Sequence, residues 1–406
     1  MTDFLADNWG VLAIPVFAGV IGYVTNYLAI RMMFHPLTFW GYKFPFKVLG
    51  FPFLGWQGII PSKAAKMGSI AVDTGLMKLG TTYEFYKEMD PDLLAELILE
   101  DAQDDVREII DGLIDRHYPR LPGPVRTAAH NRVQAELPAV IRHLTHHIGE
   151  NIDSLVNLKL MVIRHLESDP RLLNSIFQEV GRKEFRFIIN SGAWLGVLLG
   201  IGPMLLWIAV PEWWAVPLGA AAVGYGTNWI ALRIIFEPSR PIRVGPFTLF
   251  GLFLRRQAEV AEAYAEIIAY KIVTLRNIGE AMFTGPSGDR TRRLIADQLK
   301  PVIDRSIGPA KLAIRATGRG ATLDGLHGML AERGVNTALT TLTDEEFGQG
   351  RAILMKKLLA TRMAKLPPHE FAVMLRSAFQ EDEWQLVVVG ALLGFLAGLA
   401  QVFLTL

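Results

Sequence analysis

The sequence predicts an all-α integral membrane protein made of two parallel repeats, each a transmembrane helix, a long helical soluble segment and a second transmembrane helix. Three observations predict it. Four apolar runs are long enough to cross a bilayer, which takes roughly 20 residues. A fifteen-residue signature occurs twice. The chain between the runs places apolar residues at the three-and-four spacing of amphipathic helices.

The four runs are Val11–Ile30, Phe187–Val210, Trp214–Phe236 and Leu386–Leu406. Only Asp3 and Asp7 are charged ahead of the first run. A signal peptide would carry a basic segment there, so the run is expected to be a retained helix. The predicted organisation is residues 1–36 for the first membrane helix, 37–186 for the first soluble segment and 187–236 for the next two helices. Residues 237–384 form the second soluble segment and 385–406 the last helix.

Positive charge marks the cytoplasmic side of membrane helices. Arg31, Lys43, Lys47, Lys63 and Lys66 follow the first run, and Arg182, Lys183 and Arg186 precede the second. Arg233, Arg240, Arg243, Arg255 and Arg256 follow the third, whereas residues 210–214 hold no Lys or Arg. The expectation is a multi-pass protein of a bacterial inner membrane, with periplasmic termini and cytoplasmic soluble segments. Net charge is +1, which offers no general attraction for nucleic acid. Cysteine is absent, which excludes disulfides, cysteine zinc sites and cysteine nucleophiles.

The signature is Gly22-Tyr23-Val24-Thr25-Asn26-Tyr27-Leu28-Ala29-Ile30-Arg31-Met32-Met33-Phe34-His35-Pro36. It recurs from Gly224 to Pro238 with eight identical positions and no gap. The closing runs match as well, through Gly192, Gly196 and Gly200 against Gly390, Gly394 and Gly398.

Within the signature, Asn26 and Asn228 are the first candidates, because an amide in hydrocarbon is costly unless hydrogen-bonded. Gly22, Asn26 and Ala29 share one helix face, as do Gly224, Asn228 and Ala231, and a small-polar-small face suits close helix packing. Two readings stay open. The amides bond across helices, as in an Asn26–Asn228 pair, or they line a polar path. Thr25 and Thr227 are expected to bond preceding carbonyls of their own helix. Arg31 and Arg233 point elsewhere; snorkelling to lipid phosphates, a salt bridge into the soluble domain and contact with a substrate anion are the alternatives. The two glycine triplets predict tight packing, within the chain or between chains.

After each signature comes a Pro- and Gly-rich aromatic stretch. The first, Leu37 to Pro61, includes Trp40, Phe44, Phe51 and Trp56; the second runs from Ser239 to Leu254. These residues suit contact with lipid at the membrane interface, as a loop or as an ordered hairpin. Asp90-Pro91 predicts a helix start, with Asp as N-cap and Pro at the first helical position. His143 and His147 lie four apart and form a weak metal candidate, without the companion Glu of a hydrolytic motif. An exposed histidine run on an amphipathic helix is the favoured reading. No phosphate loop, dinucleotide fingerprint or nucleophile elbow is present, so no enzyme activity and no cofactor are expected.

The run from Gly22 to Pro36, the Gly58-Ile59-Ile60-Pro61 element with Lys63 soon after, and the Gly390-Ala391-Leu392-Leu393-Gly394 helix resemble a bacterial membrane family named domain of unknown function 445. The resemblance implies the architecture and supplies no activity. After Pro238 the second repeat departs from the pattern, with Leu254-Arg255-Arg256-Gln257 in place of Gly-x-Ile-Pro. The leading expectation is a non-enzymatic homo-oligomeric assembly or scaffold protein, with membrane lipids and a second copy of itself as partners. The alternative is a lipid or small-solute transport or channel component using the Thr-Asn motifs. A lipid enzyme with a histidine metal site is the third.

Overall fold

A computed structural model describes residues 9–42, 47–48, 51–52, 55–117, 123–238, 242–244, 247–307, 332–377, 380 and 383–405. The chain forms two compact units: Met1–Leu76, Ile163–Tyr264 and Ala360–Leu406 make unit 1, and Met77–Val162 and Ala265–Leu359 make unit 2.

Unit 1 contains four long helices: α1 (Trp9–Phe34), α2 (Arg182–Ala209), α3 (Ala215–Phe236) and α4 (Glu383–Thr405). Each coincides with one apolar run of the sequence. Helices α2 and α4 begin a turn earlier than those runs, so their first turns carry charge (Arg182, Lys183 and Glu184; Glu383). Among the described residues, three helices are long and apolar enough to cross a membrane: Ala13–Phe34, Arg182–Ala209 and Glu383–Phe403. Helix α3 falls short because Thr227, Asn228, Arg233 and three glycines dilute its apolar content. It packs along α4, α2 and α1. A helix flanked on several sides by protein needs fewer apolar residues than one bathed in lipid.

Helix α1 packs along α2 and α3 along α4 with backbone against backbone. A Cβ on Gly22 would fall on the carbonyl of Gly192, and one on Gly196 on the carbonyl of Ala18. Likewise Gly224 abuts Gly390, Gly394 abuts the carbonyl of Ala220, and Gly398 lies against Pro217. Gly200 would strike Ala18 and Pro15. Both glycine triplets thus pack tightly within the chain. Ala29 and Ala231 are buried at 1% and 0% exposure, continuing these small faces.

The chain leaves α1 through a cis His35–Pro36 bond and a hairpin pairing Trp40–Gly41 with Gly55–Trp56; a second pair joins Lys47–Val48 to Phe51–Pro52. It then forms a one-turn helix, Ile59–Ser62, whose leading Gly58 donates its N–H to Pro36 O at 2.9 Å. The chain leaves α3 through a cis Glu237–Pro238 bond, a hairpin pairing Ile242–Val244 with Phe247–Leu249, and the helix Leu252–Arg255. There Gly251 donates to Pro238 O at 3.2 Å. Of loop and hairpin, the aromatic stretches take the hairpin. The Gly-x-Ile-Pro letters are lost after Pro238, as the sequence reads, yet a like turn forms at Gly251, because backbone groups hold it and only the leading glycine recurs.

Unit 2 is helical. Pro91–His117 and Gly123–Glu150 pack together through Ala95, Ala102 and Ile141, with Ile98, Leu99 and Leu137 around them. Asp90 caps the first of these as expected, accepting the Leu93 N–H at 3.2 Å, at a φ of 59° that Asp tolerates. Thr81 and Glu84 form a capping box on the helix Thr82–Glu88.

Candidate functional site

The signature residues meet in the interior of unit 1. Thr25, Asn26, Thr227 and Asn228 are 2%, 0%, 0% and 0% exposed. Asn26 Nδ2 donates to Ile188 O on α2 at 2.7 Å, and Asn228 Nδ2 donates to Leu386 O on α4 at 3.1 Å. Each amide thus ties its helix to the one it packs along. Thr25 and Thr227 donate to the carbonyls of Gly22 and Gly224, each at 3.2 Å, as expected of threonines bonding their own helix. The hydrogen bond expected between Asn26 and Asn228 is replaced by a longer one, Thr227 Oγ1 to Asn26 Oδ1 at 3.5 Å. Each Asn amide nitrogen is taken by a backbone carbonyl one helix away. Asn228 Oδ1 is buried and, among the described residues, without a partner.

At the level of those carbonyls lies an apolar chamber. Ile188 and Leu386, the two acceptors, both line it, with Met33 from α1, Leu232 from α3, and Ile60 and Phe253 from the two one-turn helices. Its volume is about 80 Å³, room for roughly five to eight water-sized spheres. Two carboxylates enter this apolar wall, Glu184 and Glu383, from the first turns of α2 and α4.

Both carboxylates are gripped by arginine. Glu383 holds Arg376 with both oxygens, Oε1 to Nε at 2.7 Å and Oε2 to Nη2 at 2.9 Å, and Arg376 also reaches Glu237 at 3.4 Å. Those carboxylates raise the Arg376 guanidinium above its ordinary value. Glu184 differs. Its Oε1 accepts from Arg256 Nη1 at 2.6 Å, while Oε2 is buried and, among the described residues, has no partner. Arg256 makes two further bonds to Glu259, at 2.9 and 2.8 Å, and Lys183 binds the same carboxylate at 2.7 Å.

Glu259 is held down to about 2, first by the Arg256 hydrogen bond and then by Lys183. An acid depressed in the folded protein adds stability that is full above its ordinary value, near 4.5, and disappears as pH falls toward 2. Thermal unfolding followed from pH 5 to pH 2 should therefore show a shallower loss of stability in Glu259→Gln than in the parent protein. Parallel curves would mean that the Arg256 contact does not form in solution.

The other predicted residues are spread out. Arg233 stacks over the Trp229 ring at 4.6 Å and pairs with Glu237 at 3.6 Å, which is the ion-pair alternative; Arg31 is exposed. Trp56 donates its indole N–H to Met32 O and His35 O at 3.1 and 3.2 Å, closing the end of α1, and Trp40, its partner across the hairpin, is 77% exposed. Phe44 and the side chain of Phe51 lie outside the described residues. His143 and His147 stack with ring centroids 6.0 Å apart, His147 pairs with Glu150, and the intervening His146 pairs with Asp92. Among the described residues no group of three or more His, Asp or Glu is placed to hold a metal ion.

Sequence reasoning missed Glu184 and Glu383 as members of one chamber, and Arg256 as the partner of Glu184. The fold and this interior define a helical membrane protein with a buried amide cluster beside a carboxylate-edged apolar chamber. The chain is similar to the UPF0754 membrane protein of Shouchella clausii (strain KSM-K16), with 32% identity over 114 residues covering 24% of this chain and 30% of the relative. The match thus spans under a third of that protein's length. No protein-family model matches the chain. No solved structure matches it.

Proposed function

We propose that the chain is a non-enzymatic, internally duplicated membrane protein that holds an apolar molecule in the chamber of unit 1, as a lipid-handling or transport component. The observation that carries this reading is the chamber itself, lined in matching fashion by the ends of α1 and α3 and the starts of α2 and α4. Duplication is supported by the paired amide-to-carbonyl bonds, the paired glycine contacts, the like turns at Gly58 and Gly251, and five-residue π-helical turns at Val72–Leu76 and Ile268–Ile272. Parallel repeats of this kind are related by an axis along the membrane normal, and transporters place binding sites between such repeats. All four long helices then cross the membrane, in the inner membrane of a bacterium, with cytoplasmic soluble segments as the flanking positive charge suggests. The motifs quoted above favour kinship with domain of unknown function 445.

The test is native mass spectrometry of the full chain released from lipid nanodiscs, beside Leu375→Trp. Leu375 lines the chamber and is half-buried, so a larger ring there would fill the space. The parent protein is expected to retain one apolar ligand per chain and the variant to lose it. Equal retention by both would overturn the reading. A homo-oligomeric scaffold is the second reading. Its support is the length of the soluble helices, such as Pro91–His117 and Gly123–Glu150. The glycine triplets, which suggested it, make their described contacts inside one chain.

A further inference from the structure

One outer face of α1 carries polar groups that have no protein partner among the described residues. Tyr23, Tyr27 and Arg31 stand four residues apart, so they share a helix face, each about 6 Å of axial rise beyond the last. Tyr225, Trp229 and Arg233 repeat the pattern on α3. The four aromatic side chains are between 43% and 50% exposed, and both arginines are exposed. Neither Tyr hydroxyl on α1 has a hydrogen-bond partner among the described residues. A Tyr hydroxyl set in apolar surroundings normally finds one. Val16 and Val20 continue the face on the side away from Arg31, and both are exposed. That composition suits contact with acyl chains along a membrane-crossing helix.

Arg31 lies in the last turn of α1, and the hairpin beyond it carries Trp40 and Tyr42, 77% and 78% exposed. Such aromatic residues collect where a bilayer meets water. An arginine at that level reaches lipid phosphate and binds it through paired, charge-assisted hydrogen bonds. Tyr27 then stands one turn deeper and Tyr23 two turns deeper. Charge decides the class of lipid. Arg31 has no carboxylate partner among the described residues, and four residues on stands the exposed His35. In the second half, Arg233 pairs with Glu237, four residues on, at 3.6 Å. The α3 face is therefore close to neutral, and the α1 face keeps an uncompensated cation. A zwitterionic head would set its ammonium beside Arg31 with no carboxylate to receive it. An anionic head brings no second cation. Free phosphate would leave Tyr23 and the valines uncovered.

We propose that the Tyr23–Tyr27–Arg31 face of α1 binds an anionic glycerophospholipid, with its phosphate on the Arg31 guanidinium, an ester oxygen accepting from the Tyr27 hydroxyl and an acyl chain along Tyr23. The inference shares with the proposed function only the reading of α1 as a membrane-crossing helix; the chamber and its occupant play no part in it. The α3 face, with the same aromatic spacing and its arginine already paired, is the built-in comparison.

The test uses the full chain in phosphatidylcholine nanodiscs doped with a trace of photoreactive lipid. Phosphatidylglycerol and phosphatidylcholine probes carry the same diazirine-bearing acyl chain, and labelled peptides are mapped by tandem mass spectrometry. On the α1 peptide spanning Val16 to Arg31, the phosphatidylglycerol probe should label about fivefold more than its zwitterionic counterpart, the weight of one basic residue at an anionic lipid surface. Arg31→Gln should bring that ratio to about one, and Arg31→Lys, which keeps the charge, should retain at least about half of the preference. Arg233→Gln should leave the α1 ratio unchanged. Tyr27→Phe should lower labelling by both probes roughly threefold without altering their ratio, as loss of a neutral hydrogen bond would. Equal labelling by the two probes in the parent protein, or a preference that survives Arg31→Gln, would overturn the inference and leave the chamber reading intact. Suppression of the phosphatidylglycerol signal by millimolar inorganic phosphate would overturn the lipid as the source of the anion. No α1 labelling by either probe would mean that protein covers this face, a second copy of the chain included, and would overturn the inference as well.

Discussion

Replacing Gly192 or Gly390 with leucine should lower stability by at least about 3 kcal/mol, the upper part of the range for forcing extra volume into a packed interior. The reason is what the new side chain would strike. A Cβ at Gly192 falls on the carbonyl of Gly22 and within 2.7 Å of the Asn26 amide; one at Gly390 falls on the Asn228 amide and within 2.8 Å of the Gly224 carbonyl. A flexible side chain can rotate away from an intruder, but a helix backbone moves only as a whole. Separating the helices would also stretch the bonds from Asn26 to Ile188 and from Asn228 to Leu386. Gly202, on the same helix as Gly192, has nothing within 4 Å of its added Cβ, so Gly202→Leu should be near neutral. Unfolding by denaturing detergent, followed by tryptophan fluorescence, would measure all three. Gly192→Leu behaving like Gly202→Leu would refute the backbone contact between α1 and α2.

Arg256→Ala should cost about 3 kcal/mol, the lower end for leaving one member of a buried ion pair uncompensated. The lower end applies because the Arg256 side chain is 23% exposed while that of Glu184 is 6% exposed. The loss comes less from the attraction removed than from a carboxylate left between apolar walls without its counter-ion. Replacing Glu184 with Gln in the same chain should therefore recover most of the stability, and a double-mutant cycle isolates the coupling. Additive losses would mean that the two side chains act independently. Arg256→Lys should recover little, since one ammonium cannot reproduce the fork that holds Glu184 and Glu259 together.

Much of unit 1 was legible because membrane helices announce themselves by long apolar runs, and glycine and amide residues stand out against them. Asn26 and Asn228 drew attention for that reason, and they do lie at the centre. Their acceptors did not, since a carbonyl belongs to every residue and its availability depends on which helix comes near. Glu184 was hidden for a different reason. In the run Arg182-Lys183-Glu184 it reads as ordinary charge at a membrane edge, and its partner lies 72 residues away with no period to betray it. One signal was available. Aligning the turns at Gly58 and Gly251 places Arg256 where the first half has Lys63, a cation kept at a position where little else is shared. Helix α3 shows the opposite failure. The sequence drew it as equal to its neighbours, while its polar content fits a helix flanked by the other three.

The pairing of α1 with α2 has a consequence for biosynthesis. Asn26 and the Ile188 carbonyl that accepts its amide are 162 residues apart, which a ribosome traverses in roughly 8 to 30 s. Over that interval the first helix has left the translation machinery, and the group that completes it does not yet exist. The same delay recurs for Asn228, whose acceptor at Leu386 follows 158 residues later. If α1 and α3 cross the membrane as proposed, the nascent chain twice carries an amide into the bilayer ahead of its partner, sheltered by its own backbone, water or the insertion machinery until the second helix arrives.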